Sequence, residues 1–184
     1  MDLSIGTLSA VPAGQRPDLL GAPVGAAIDA HSGDWPPDAV GVAEIDPDLA
    51  DTAAFCERYS VSMDESANCV VVAGRRGGVE RLAACMILAT TRADVNGVVR
   101  RSLDVRKASF APVDVAVAET GMEYGGITPV GLPDGWPIFV DAAVAAAERV
   151  VIGSGVRRSK LIVAGSLLAA LPDATVIEGL GRPA

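Results

Sequence analysis

The spacing of apolar and polar positions changes several times along this chain, and each change marks an element. Gly41-Val42-Ala43-Glu44-Ile45 alternates as a strand does, and Ala53, Phe55, Cys56 and Tyr59 form a helical stripe that Asp48 can cap. Cys69 to Ala73 reads as a strand and Gly74 to Gly78 as a turn carrying Arg75 and Arg76. Arg81 to Thr90 is the returning strand of a hairpin. Asp94 is placed to cap a short helix through Val99. Lys107 to Phe110 is a short strand, and Pro112 stands at the first position of a helix that stops at Gly121. Ile138 to Asp141, Val150 to Ile152, Lys160 to Val163 and Thr175 to Ile177 read as strands, with short helices at Asp141 to Ala147 and Ser166 to Leu171.

Strands outnumber long helices here and do not alternate regularly with them. That pattern predicts an α+β fold with a mixed, curved sheet rather than a doubly wound one. Residues 1–39 carry no sustained period and are rich in Gly, Pro, Ala and Asp. They are expected to form an irregular arm, with one short helix near Pro17 to Leu20, packed on a domain spanning residues 40–184.

The loop from Thr120 to Pro133 interrupts this aliphatic sequence with Gly121, Gly125, Gly126 and Gly131 and with Pro129 and Pro133. Glycine admits positive φ and lets a ligand approach the main chain, while proline fixes φ and removes a donor. Such a loop builds a rigid backbone wall, the kind a small selective pocket needs.

Composition narrows the chemistry. At 184 residues with 50% hydrophobic content the chain fits one domain with an ample core. No run approaches the roughly 20 apolar residues of a membrane helix, and Met1 to Ala10 lacks a basic start and an apolar signal core, so a cytoplasmic location is expected. Cys56, Cys69 and Cys85 are odd in number, far apart and set in apolar surroundings, which predicts buried reduced thiols. His31 is the sole histidine and lies in the arm, the cysteines lack zinc-site pairing, and Gly153-Ser154-Gly155 lacks the Lys-Ser/Thr ending of a phosphate loop. No metal or other cofactor is expected. A formal charge of -8 argues against indiscriminate nucleic-acid binding. Positive charge is clustered, however, at Arg75-Arg76, Arg100-Arg101, Arg106-Lys107 and Arg157-Arg158 with Lys160. These clusters read either as solvated loop charge or as a local nucleic-acid-facing patch, with Arg100, Arg101, Arg106 and Lys107 as the candidate contacts.

Asn68 to Val72, Thr120 to Gly131, Ile138 to Asp141 and Val150 to Gly155 occur in an order that resembles the YbaK-type, or prolyl-tRNA synthetase-associated, editing domains. The likeness covers roughly Val40 to Leu171. It implies a partly barrel-like sheet surrounded by short helices, and a trans-acting deacylase that hydrolyses the ester of mischarged tRNA. The partner would be the tRNA acceptor end, and a homodimer is one assembly consistent with it. The family's Gly-x-x-x-Pro loop corresponds to Gly125, Gly126, Ile127, Thr128 and Pro129, and would shape the pocket. The family's strand usually begins with a lysine important to deacylation, and here that position is Asn68.

An aminoacyl ester is already activated, so hydrolysis needs an oriented water, a polarised carbonyl and a bound ribose. Backbone amides of Gly125 to Thr128 can supply part of this, facing Gly153 to Gly155. Ser154 can hydrogen-bond the ligand or complete a turn, Asp141 can orient a polar group or cap a helix, and Asn68 can bind a carbonyl or ribose or begin a strand. Two other readings stand beside the deacylase: a non-catalytic module that binds an aminoacyl-adenosine-like ligand or RNA end, and an interaction scaffold.

Overall fold

A computed structural model describes residues 3–183; Met1 and Asp2 of the expected arm, and Ala184, lie outside the described residues. The first half holds β1 (Ala10–Pro12), α1 (Ala22–Ala30), β2 (Val40–Glu44), α2 (Thr52–Tyr59), β3 (Ala67–Arg76), β4 (Val79–Leu88) and β5 (Thr91–Ala93). Then come α3 (Arg100–Ser102), β6 (Lys107–Phe110), α4 (Val113–Thr120), β7 (Ile138–Asp141) and α5 (Ala142–Ala145). The chain ends with β8 (Val150–Gly153), β9 (Ser159–Val163), α6 (Gly165–Ala169), β10 (Ala174–Ile177) and β11 (Gly181–Pro183).

The strands make a four-stranded sheet ordered β1-β2-β9-β8, a five-stranded sheet ordered β10-β7-β4-β3-β6, and a small ribbon of β11 with β5. The first sheet is antiparallel throughout, whereas in the second β7 runs parallel to both β4 and β10. This is the expected α+β architecture with a mixed sheet. A parallel bridge between Ser66 and Val151 joins the start of β3 to β8, and among the described residues the sheets do not close into a barrel.

Both sheets are buried on two faces. Val150, Ile152, Leu161 and Val163 pack inward with Met86, Val140 and α6 Leu168, while Val151 and Ile162 face α2 Phe55 and Cys56 on the other side. Across the second sheet, Ala83, Cys85 and Ile87 face Val95, Val99, Leu103 and Val105. Among the described residues, no helix is long and apolar enough to cross a membrane.

Several local expectations shift. The β3–β4 hairpin is longer than expected, with Arg75 and Arg76 paired in the ladder to Glu80 and Val79. Only Gly77 and Gly78 make the turn, at φ of 60° and 82°, the conformation a two-residue hairpin requires. Asp48 does not cap α2; Asp46 accepts its amide instead, capping a 3-10 turn at Pro47–Leu49, and α2 starts after Asp51. Asp94 does cap its turn, accepting the amides of Gly97 and Val98. Pro112 stands one residue before α4 rather than at its first position. The arm is more ordered than expected: β1 extends the first sheet, and Leu19 and Val24 enter the main core.

Asp141 is placed by this topology at the end of β7. It is 7% exposed, and both its carboxylate oxygens accept backbone amides, from Ala143 at 2.9 Å and from Gly181 at 2.7 Å. It therefore caps α5 and ties β11 to the sheet. Asp141→Ala should lower the unfolding free energy by about 1–3 kcal/mol, since it removes a cap and leaves a buried amide unpaired. Urea unfolding of the variant checks this.

Candidate functional site

The glycine loop is docked on the end of β8 by backbone. Gly121, at φ 65°, ends α4, and the chain then turns back so that Glu123 N donates to Gly155 O at 2.9 Å and Gly155 N donates to Gly126 O at 2.7 Å. The Glu123 carboxylate accepts Arg157 N at 2.7 Å. Side chains have no room here: a Cβ on Gly126 would lie 2.6 Å from the Val156 carbonyl, and one on Gly153 2.6 Å from Ile127 O.

Docking in this way leaves a cavity of about 540 Å³ between the loop, α2, β3 and β8. That size is ordinary for a small-molecule site. Val70, Val71, Ile87 and Val151 give it an apolar wall, while Thr52, Ser66, Asn68 and Lys160 bring polar groups. Phe110 and Tyr124, 58% and 59% exposed, also line it, as does exposed Arg92.

Of the residues singled out from sequence, Asn68, Gly125, Ile127 and Gly153 line this one cavity. Asn68 is half-buried, and its amide oxygen accepts the Thr52 hydroxyl at 2.8 Å, so its remaining hydrogen-bonding capacity lies chiefly in its two N–H groups. Gly126 and Gly155 hold the loop and do not line the cavity. Ser154 is fully buried and bonds Ser159 O at 2.9 Å and Ser159 Oγ at 2.7 Å, completing the turn. Pro129 is buried, and Thr128 is fully buried with no partner for its hydroxyl among the described residues. Asp141 is occupied at α5. Arg101, Arg106 and Lys107 are exposed, Arg100 is half-buried, and none of the four lines the cavity. His31 stacks on Trp35 at 4.5 Å and bonds Ala27 O, away from the site. Cys56 and Cys85 are buried and Cys69 lies half-buried on the cavity wall; burial pushes all three thiols up, Cys85 to about 12.

Lys160 forms one basic cluster with Arg157 and Arg158 along the sequence, but of the three only Lys160 lines the cavity. It points from β9 toward α2, in the same layer as Ile162, flanked in the sheet by the small residues Ala43 and Gly153. Only 8% exposed, it donates from Nζ to Ala50 O at 3.0 Å and Gly125 O at 3.3 Å, with the Phe55 ring 5.4 Å away. Burial, helped by the positive Arg157 and opposed by Asp51 and Cys56, pulls its pKa down to about 8. The signal in the sequence is weak: a single lysine leading into the aliphatic run Leu161-Ile162-Val163.

This shift ties Lys160 to stability. Below about pH 8 the ammonium is present in both folded and unfolded chains, and its burial penalty is complete. Between about 8 and 10.5 the unfolded chain holds a proton that the folded chain has released, so rising pH favours folding. The drop from 10.5 to about 8 corresponds to about 3 kcal/mol. Unfolding free energy of the wild type should therefore rise by up to that amount over this window relative to Lys160→Met, and a urea titration series at several pH values measures it.

Comparison with known proteins relates the chain to a family. Residues 46–171 match the model of the aminoacyl-tRNA editing domain, which takes in the Asn68 strand, the glycine loop, β8 and Lys160. The fold resembles that of hypothetical protein APE2540, with a TM-score of 0.73 at 20% identity, covering 87% of this chain and 99% of that one. It also resembles a protein described as a "putative trans-editing enzyme for prolyl tRNA synthetase", with a TM-score of 0.71 at 18% identity, covering 95% of this chain and 99% of that one. No curated protein matches the sequence. Structural likeness at these identities carries the fold alone, whereas the family match spans well over half of the 184 residues. The chain belongs to the aminoacyl-tRNA editing domain family.

Proposed function

We propose that the protein is a trans-acting deacylase that hydrolyses the ester of a mischarged aminoacyl-tRNA. The observation that carries this reading is the cavity bounded by Asn68, Gly125 and Gly153, in a chain of the editing-domain family. Its apolar wall suits an amino-acid side chain. Asn68 offers N–H donors toward a ribose hydroxyl or an ester carbonyl. In the reaction a water oxygen bonds to the ester carbonyl carbon and the bond from that carbon to the ribose oxygen breaks. One water proton ends on the ribose hydroxyl, and the freed amino acid ionises.

The mouth suits the end of an RNA strand. Phe110 and Tyr124 present open ring faces on which unpaired bases can stack, each worth about 1–3 kcal/mol. Arg92 offers charge to a phosphate beside them. Phe110 lies on β6, the edge strand whose other end carries Lys107, paired in register with Arg75. A strand leaving the cavity past Phe110 would travel along this edge toward Lys107 and Arg106.

Incubating the purified chain with a panel of mischarged aminoacyl-tRNAs tests the reading. At least one should lose its amino acid much faster than in buffer. If none does, and an aminoacyl-adenosine analogue still binds saturably, the chain is a binding module instead. Neutralising Arg100, Arg101, Arg106 and Lys107 together should weaken tRNA binding and flatten log K against log salt by about 0.7–0.9 for each phosphate no longer neutralised. An unchanged slope would remove this cluster from the interface.

A further inference from the structure

The cavity holds a cation that the family comparison did not lead us to expect. The position where the resemblance places a lysine is Asn68 on β3, yet Lys160 reaches the same cavity from β9, on the other sheet. We propose that Lys160 supplies the positive charge of this site, its third N–H directed at the electron-rich oxygen of the acyl ester, so that the cation has moved from β3 to β9. The inference rests on the deacylase reading of the cavity.

Three observations support it. An ammonium has three donors, and two are spent on Ala50 O and Gly125 O, so one remains in a cavity-lining group. The two carbonyls fix Nζ between α2's approach and the glycine loop, so the charge is held in place before a ligand arrives. Preorganised charge of this kind acts where negative charge develops, in a site that excludes water. Finally, the two carbonyls hold the ammonium but do not neutralise it. Its neighbours in the layer are Ile162, Phe55 and Cys56, and none of the ion pairs among the described residues includes its ammonium. Asp51 and Arg157, the charged groups around it, pair with each other at 3.7 Å.

As the tetrahedral intermediate forms, the carbonyl oxygen takes up negative charge, and the Lys160 N–H donates to it. The proton stays on nitrogen. When the bond to the ribose oxygen breaks, the carbonyl reforms and the hydrogen bond relaxes. Asn68, held by the Thr52 hydroxyl on the wall of the same cavity, offers its N–H groups to the ribose.

The experiment compares wild type with Lys160→Met and Lys160→Gln on the mischarged tRNA panel from pH 6 to 9.5, after subtracting uncatalysed hydrolysis. We expect kcat to fall about 10²–10³-fold in both variants, the effect of removing one such donor, with KM changed far less. We also expect wild-type kcat to fall above about pH 8, as the ammonium deprotonates, and this limb to be missing from the residual activity of the variants. Wild-type activity that is still level or rising at pH 9.5 overturns the inference even if neither variant folds, as does a folded variant within threefold of wild type. If wild type hydrolyses nothing, the deacylase reading fails, and Lys160 is judged on binding of a 3′-amide-linked aminoacyl-adenosine. Binding at least tenfold weaker in Lys160→Met at pH 7 sustains the cation assignment. Equal binding, or no binding by wild type, overturns it.

Discussion

The site depends on one backbone hydrogen bond, in which Gly155 N donates to Gly126 O where the glycine loop meets the end of β8. The bond requires two segments to approach more closely than side chains allow. Gly126 and Gly153 meet that need, since a Cβ on either would press into carbonyl groups of the other segment. Once the loop is seated, Gly125 O is fixed over the cavity, and Lys160 Nζ is fixed in turn. Arg157 reinforces the arrangement from outside, donating to Pro47 O and Tyr124 O and so clamping the start of α2's approach to the loop. The loop side of the cavity is thus shaped by backbone, held by close approach of glycines.

The fold was readable in the sequence where period and punctuation agreed. Gly77-Gly78 between aliphatic runs, Asp94 before an apolar turn and Gly121 after a helix each have one local solution, and each is found near its expected place. The facing of the strands was not readable. Val150-Val151-Ile152 and Leu161-Ile162-Val163 are buried on both faces, so apolar residues occupy every position and no alternation reveals which side is the pocket. The helix α1 escapes sequence reading for a related reason. Pro23 and Gly25 sit within it and no side chain caps its start, so its stability comes from packing through Val24.

The site was partly readable. Glycine spacing located the loop and the β8 turn, because close backbone approach leaves its mark in composition. Side-chain direction leaves no such mark. Asp141 and Ser154 suit pocket and turn equally by sequence, and the structure turns both toward backbone partners. Arg157, Arg158 and Lys160 look alike as a basic cluster. In three dimensions Arg157 clamps a loop, Arg158 reaches the backbone of Asp18, and Lys160 enters the cavity.

A lysine in an aliphatic layer destabilises the fold by disfavouring its charged form, and the sheet could take a leucine or methionine at that place at lower cost. The architecture instead accommodates it: Ala43 and Gly153 flank it with minimal side chains, and two carbonyls accept its hydrogen bonds. Neither sheet register nor loop docking requires a charge there, because both are made by backbone bonds. The same burial that destabilises the ammonium lowers the dielectric around it, and so strengthens its effect on any oxygen brought within reach. In the deacylase reading proposed above, what Lys160 takes from stability is offset when a ligand with a developing negative charge occupies the cavity.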